Sequence, residues 1–423
     1  MQDHPLRYQL TNELHARPFP VLSSPCMAVF LALKRPGIDA MSDRTADRAH
    51  LIALLDRFGA PHPQPDATHW FGEVGKHRLK WEQHTEFATF TLFVDDIPAR
   101  PFDPQTFDCF PADWLEAAPG ARITSALVRV EPLEDVSKIR ENLSDWFVAE
   151  SLAVSTVLDG SAVIAGDFRI DSAGHMRFAA FTHSKCGSRR IGRIVQRLCE
   201  IETYKTMSML GLMRARELGP SLNRLDAKLT DLMATMTGKG ADAEQTLAEL
   251  LETSAELANL GAQSSYRFAA TSAYEALVNQ RTDVLREERF GGRQSFAEFM
   301  MRRFDPAMRT VRSVQSRLQS MAERAARAGD LLRTRVDVER SAQNQILLAS
   351  MDKRADTQLR LQRTVEGLSV VAISYYAVNL VLFVVAPFAA GYGVSKIVAA
   401  AIATPLVIAL VWIMVRRIHR SMT

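Results

Sequence analysis

The sequence predicts an α+β cytoplasmic domain, then long helices ending in a coiled-coil-like stalk, then a C-terminal two-helix transmembrane hairpin. Three observations carry this. Short strand-like runs with turn signals between them fill only the first 185 or so residues. From Ser188 onward, apolar residues recur at steps of three and four instead. Near the end, 367–390 and 397–415 are runs of 24 and 19 residues without Asp, Glu, Lys or Arg. The 423 residues divide accordingly: 1–185 an α/β domain, 186–294 a helical region and 295–366 a stalk helix. Residues 367–390 form a first span, 391–396 a short periplasmic loop, 397–415 a second span and 416–423 a basic tail.

In the first domain, 26–33 is an apolar run suited to a buried strand, and 43–58 has helical spacing. Residues 85–94, 123–130, 152–158, 162–170 and 176–182 read as strands, and 135–147 as a helix. Asp159-Gly160 and the 171–175 stretch containing Gly174 are hairpin signals. Consecutive strands late in the domain predict an antiparallel or mixed sheet, not a doubly wound one. In the helical region, Ser188 is the expected first N-cap, and Gly219-Pro220 is expected to break or kink the helix. Asp242 caps a helix expected to run to about Glu288, and the last helix starts near Ser295. Val311, Val314, Leu318, Met321, Ala325, Ala328 and Leu332 form a seam of about three heptads. Its partners are the chain's own helices or other subunits.

A 24-residue uncharged helix is long enough to cross about 30 Å of hydrocarbon. Gly and Pro in the connecting loop predict a hairpin. Arg354, Arg360 and Arg363 precede the first run, and Arg416, Arg417 and Arg420 follow the second, whereas the loop holds only Lys396. The positive-inside rule therefore places both termini in the cytoplasm. No basic stretch followed by an apolar run opens the chain, so no cleavable signal peptide is expected. Cys26, Cys109, Cys186 and Cys199 are too widely spaced for a disulfide framework or zinc ribbon, and are expected to be reduced.

With 47% apolar and 23% charged residues the chain is globular, not disordered. A net charge of +3 gives no nucleic-acid footprint. No Walker A, dinucleotide fingerprint, nucleophile elbow or His-Glu-x-x-His occurs, so no enzyme and no cofactor are expected. The expected partners are the lipid bilayer, further copies of the chain, and, in an alternative reading, a cytoplasmic protein.

Four segments resemble one family, the uncharacterised membrane-anchored proteins catalogued as domain of unknown function 3422. They are Leu10, Asn12, Glu13, His15, Ala16, Arg17 and Pro18, then Lys80, Trp81, Glu82, His84, Thr85, Glu86 and Phe87. They continue with Gly192, Arg193, Val195, Gln196, Arg197, Leu198 and 200–204, then with 362–369 ahead of Tyr375 and Tyr376. The resemblance implies a bacterial inner-membrane anchor and no particular activity. The order of parts also resembles the CorA-type magnesium channels. That family carries Tyr-Gly-Met-Asn after its first span, where this chain has Tyr392, Gly393, Val394 and Ser395, so magnesium selectivity is not implied.

Four places are candidate sites. Glu366, Ser369, Tyr376 and Asn379 share a side of the first span and are candidate pore-facing or interhelical residues. Asn12, Glu13, His15 and Arg17 form a dense polar motif, a candidate ligand or regulatory site. Strand alternation over 78–86 would put Arg78, Lys80, Glu82, His84 and Glu86 on one face. Glu82 and His84 are then weak metal-ligand candidates, opposed by the cations beside them. Lys185, Gly187, Ser188, Arg189, Arg190 and Arg193 surround a helix start and form a basic turn that could meet phosphate or anionic lipid. The function expected is an inner-membrane protein with a large cytoplasmic domain, a CorA-like oligomeric ion channel or transporter. The alternative is a membrane-tethered scaffold or regulatory protein.

Overall fold

The computed structural model describes residues 3–8, 11, 19–132, 135–237, 242–391 and 395–422. The chain forms two compact units, residues 1–329 and 330–423.

The first unit is built on nine strands among the described residues: β1 (Cys26–Lys34), β2 (His69–Val74), β3 (His77–Gln83), β4 (Phe87–Val94), β5 (Ala121–Pro132), β6 (Ala153–Val157), β7 (Ala162–Gly166), β8 (Met176–Thr182) and β9 (Glu288–Arg289). They make one mixed sheet in the order β2-β3-β4-β1-β5-β8-β7-β6-β9. Pairing is antiparallel throughout except β5 with β8. The parallel pair follows from the crossover between β5 and the β6–β7–β8 meander, which includes a helix. The predicted hairpin turn is present: Leu158, Asp159 and Gly160 all have positive φ between β6 and β7.

All nine residues of β1 are buried, so both faces of the sheet are covered. One face holds Met27, Val29 and Leu31 with Leu79, Trp81 and Phe90. It packs on α1 (Arg44–Arg57) through Leu51, Leu54 and Leu55, on α2 (Ala112–Glu116) through Trp114, and on α3 (Val136–Trp146) through Ile139 and Leu143. Asp43 and Asp135 cap α1 and α3 by accepting from backbone N–H groups of their first turns. The second face meets α4 (Ser188–Thr237), whose Ile191, Ile194, Val195, Leu198 and Ile201 are buried.

His50 is set into the first core. Its ring stacks on Trp114 at 4.0 Å and meets the edge of Phe90 at 5.8 Å, and its Nε2 has no partner. Burial lowers its pKa from 6.5 to about 4. Between those values the unfolded chain binds the proton and the folded chain does not. The stabilisation is therefore full above pH 6.5 and is lost as pH falls toward 4. Unfolding midpoints across this window are expected to fall with pH, and His50→Phe to flatten that slope.

Alongside α4 lies α5 (Ala243–Asp283), N-capped as predicted by Asp242. At Gly211 the two helices lie close: a Cβ there would lie 2.3 Å from Thr271 Oγ1. α6 (Phe296–Arg303) opens with a Ser295–Glu298 capping box. Phe304 separates it from α7 (Asp305–Gly391), and Pro306 sits in the first turn of α7, where its missing N–H costs nothing. Within the first unit, Val311, Leu318, Met321, Ala325 and Ala328 of the predicted seam are buried. Arg317 and Arg324 of α7 donate to Asp226 of α4 at 2.9 and 2.6 Å, and Arg312 pairs with Glu275 of α5. Here the seam's neighbours are the chain's own helices.

Three local expectations are corrected. Gly219-Pro220 does not end α4, which runs unbroken for 50 residues. Gly219 has no Cβ to clash with the proline ring, and buried Leu218, Leu222 and Leu225 continue the packed stripe across it. α5 ends at Asp283, and Glu288–Arg289 pair with β6 instead. The Gly187 carbonyl, not the Ser188 side chain, opens α4 by accepting from Arg190 and Ile191 N–H.

The second unit holds the rest of α7 and α8 (Lys396–Met422). Residues 337–365 are exposed at every position. Both helices contain a stretch long and apolar enough to cross a membrane. Reduced exposure in the first stretch falls on Val370, Ser374, Ala377, Val378, Val381 and Leu382. In α8 it falls on Ala399, Ala400, Ala403, Thr404, Val407, Val411 and Val415. Both sets follow helical spacing, so each helix has one covered side. Small residues dominate that of α8, which allows backbones to approach.

Candidate functional site

The first unit contains a cavity of about 190 Å³ between the sheet and α4. Strand alternation builds its floor. Lys80 and Glu82 of β3 face the same side as Thr91 and Thr89, their register partners on β4. From α4, Val195, Gln196, Cys199, Glu200 and Thr203 form one face at steps of one, three and four. Arg281 of α5 closes one end, Phe30 and Phe87 supply apolar walls, and half-exposed Phe19 stands at the rim.

The polar groups make a chain of alternating sign. Lys80 Nζ donates to Gln196 Oε1 at 2.8 Å and pairs with Glu82 Oε2 at 3.1 Å. Gln196 Nε2 donates to Glu200 Oε1 at 2.7 Å, and Arg281 Nε donates to Glu200 Oε2. His84 stacks on Phe87, with ring centroids 4.3 Å apart. Buried charges cost several kcal/mol each unless paired, and this chain of bonds offsets that cost.

A second polar cluster lies on α5. The Glu86 and Arg267 side chains are both fully buried and form an ion pair. Tyr274 Oη donates to Glu86 Oε2 at 2.9 Å, and Arg267 Nε donates to Asp39 Oδ1 at 3.3 Å. Burial, then the Glu86 charge, pushes the Tyr274 hydroxyl well above its ordinary range, so it stays a donor. Lys34 Nζ donates to the carbonyls of Gly37 and Ala40, and burial lowers its pKa.

Burial raises the pKa of Cys199, on the cavity wall, and keeps its thiol protonated, so it is no nucleophile at neutral pH. Cys26 and Cys109 are likewise pushed up to about 12 by burial. Among the described residues no group of three or more His, Cys, Asp and Glu is placed to hold a metal. Glu82 is engaged by Lys80.

Glu82 and His84, singled out in the sequence, do line one cavity. The strand ends at Gln83, so His84 and Glu86 lie beyond it, and Glu86 turns to α5. Asn12, Glu13, His15 and Arg17 lie outside the described residues, as do Tyr392, Gly393 and Val394. In the basic turn, Arg190 Nη1 donates to Ser161 Oγ at 3.0 Å. In the second unit, Ser369 and Tyr376 are exposed on the side of α7 roughly opposite its covered side. Ser369 Oγ donates to the Val365 carbonyl at 2.8 Å, and Asn379 Nδ2 to the Tyr375 carbonyl at 2.9 Å. Asn379 also borders a gap with Phe383 and Lys396, and Glu366 accepts from Gln362 at 3.0 Å.

Sequence reasoning missed Arg267 and Arg281. A signal existed for Arg267, which falls in the α5 stripe Leu257, Ser264, Phe268, Thr271 and Val278. A charge within an apolar stripe marks a buried pair. Arg281 carried no such signal.

Val195, Gln196, Glu200, Thr203 and Tyr204 belong to one resembling segment and Lys80, Glu82, His84 and Phe87 to another; the fold brings the two together around the cavity. This is an α+β domain followed by long helices, two of them apolar enough to cross a membrane. The chain belongs to the family described as protein of unknown function (DUF3422), whose model matches residues 2–422. No curated protein and no solved structure matches the chain.

Proposed function

We propose that this is a two-pass protein of the bacterial inner membrane, with both termini cytoplasmic, whose copies assemble through the first span into an ion-conducting path. The observation that carries the reading is the pair of polar residues on the exposed side of that span, which Phe383 and Leu380 share. Ser369 and Tyr376 (70% exposed) point away from the covered side of their helix. In hydrocarbon such a side favours another protein surface or water over lipid. Arginines outside both spans support the topology. In this reading the cytoplasmic unit is regulatory and not catalytic.

Flux of mono- and divalent cations through reconstituted full-length protein is the test. Wild type is expected to conduct, and Asn379→Leu to change the rate about tenfold or more. An absence of flux would overturn conduction, and a silent Asn379→Leu would overturn a path lined by Asn379.

One observation favours a second reading, a tethered scaffold. Ile346, Leu347, Leu348 and Met351 are all more than half exposed on the 337–365 helix. These apolar side chains would suit a cytoplasmic protein partner. Exchanging the hairpin for an unrelated anchor separates the readings: a scaffold keeps its function and a conducting assembly loses it.

A further inference from the structure

We propose that the cavity between the sheet and α4 binds a small zwitterion. Its carboxylate would lie toward Lys80 and Arg281, its ammonium toward Glu82 and Glu200, and its apolar part against Phe30 and Phe87.

Charge balance, size and position carry the inference. The cavity has two cations and two carboxylates. A purely anionic ligand would be repelled by Glu82 and Glu200, and a purely cationic one by Lys80 and Arg281. A molecule with both charges meets an opposite group at each end. The volume, about 190 Å³, is below the roughly 300 Å³ where drug-sized pockets begin, so the ligand is small. The charged groups are not sealed away. The side chains of Glu82, Glu200 and Arg281 keep 14%, 17% and 28% exposure, so a ligand reaches them by displacing water.

Stability alone gives no reason for this arrangement. Apolar residues under α4 would serve packing as well, because a buried ion pair is often no better than a hydrophobic replacement. Four charged side chains nevertheless converge from three separate elements: β3, α4 and α5. Their mutual bonds hold the site shaped before any ligand arrives, which lowers the ordering cost of binding.

The test is calorimetric titration of full-length detergent-purified protein with a panel of glycine, L-leucine, L-phenylalanine and glycine betaine. For the best binder, analogues lacking one charge follow; for L-leucine these are 4-methylpentanoate and 3-methylbutylamine. At least one zwitterion is expected to bind, with the singly charged analogues about tenfold or more weaker. Glu82→Gln and Lys80→Met are each expected to weaken binding by a similar factor. Lys80→Met removes a buried cation and could unfold the site, so Glu82→Gln, which keeps the shape, carries the test by itself. No binding by any panel member at millimolar concentration would overturn the proposal. So would equal affinity for a singly charged analogue, or unchanged affinity in folded Glu82→Gln protein.

Discussion

Arg267→Met is expected to destabilise the first unit by about 3–5 kcal/mol, because it leaves the Glu86 carboxylate buried without its cation. Both side chains are fully buried, so no water can replace the lost partner. Tyr274 would still donate to Glu86 Oε2, but a neutral hydroxyl does not compensate a charge. Tryptophan fluorescence reads this unit well, since Trp70, Trp81, Trp114 and Trp146 all lie in the sheet domain. Pairing Arg267→Met with Glu86→Leu is expected to recover most of the loss, because removing both charges also removes their desolvation cost. A single variant as stable as wild type would contradict the burial of this pair.

The second large effect is expected at Gly192, the fifth residue of α4. A Cβ there would sit 1.6 Å from the Pro20 carbonyl oxygen and 2.7 Å from its carbon. Both are backbone atoms, so no rotamer change relieves the clash. Either α4 shifts off the sheet or the chain at 19–22 peels away. Peeling would lose the Leu22 N–H bond to the Ser188 carbonyl and the Arg78 bond to the Val21 carbonyl. Gly192→Ala is expected to cost about 3 kcal/mol and to expose this segment to proteolysis. Gly261→Ala is the control: nothing lies within 4 Å of its added Cβ, and it should stabilise α5 by about 1 kcal/mol. Equal behaviour of the two variants would rule out the close approach at Pro20.

What the sequence revealed depended on the range of the interaction. Local signals were legible. Asp242 and Ser295 mark helix starts through bonds spanning three residues or fewer, and Asp159-Gly160 marks a turn. β2 was illegible because it is an edge strand with irregular burial, and Gly72 lies under the Trp70 indole. Pro220 misled because packing on both sides outweighed one missing hydrogen bond. The site was half legible. Alternation put Lys80 and Glu82 on one face, but their partner Gln196 is 116 residues further along the chain. No period in a single sequence reports such a pairing. The seam from Val311 was legible as a stripe, while the identity of its neighbours waited on Arg317, Arg324 and Asp226.

The central claim is that copies of the chain meet through the polar side of the first span. Native mass spectrometry of full-length protein, extracted with its surrounding lipid, tests it most directly. The claim predicts a closed ring of four or more copies, disrupted when Ser369, Tyr376 and Asn379 are together replaced by leucine. A monomer or dimer would contradict it, because two copies cannot enclose a central path.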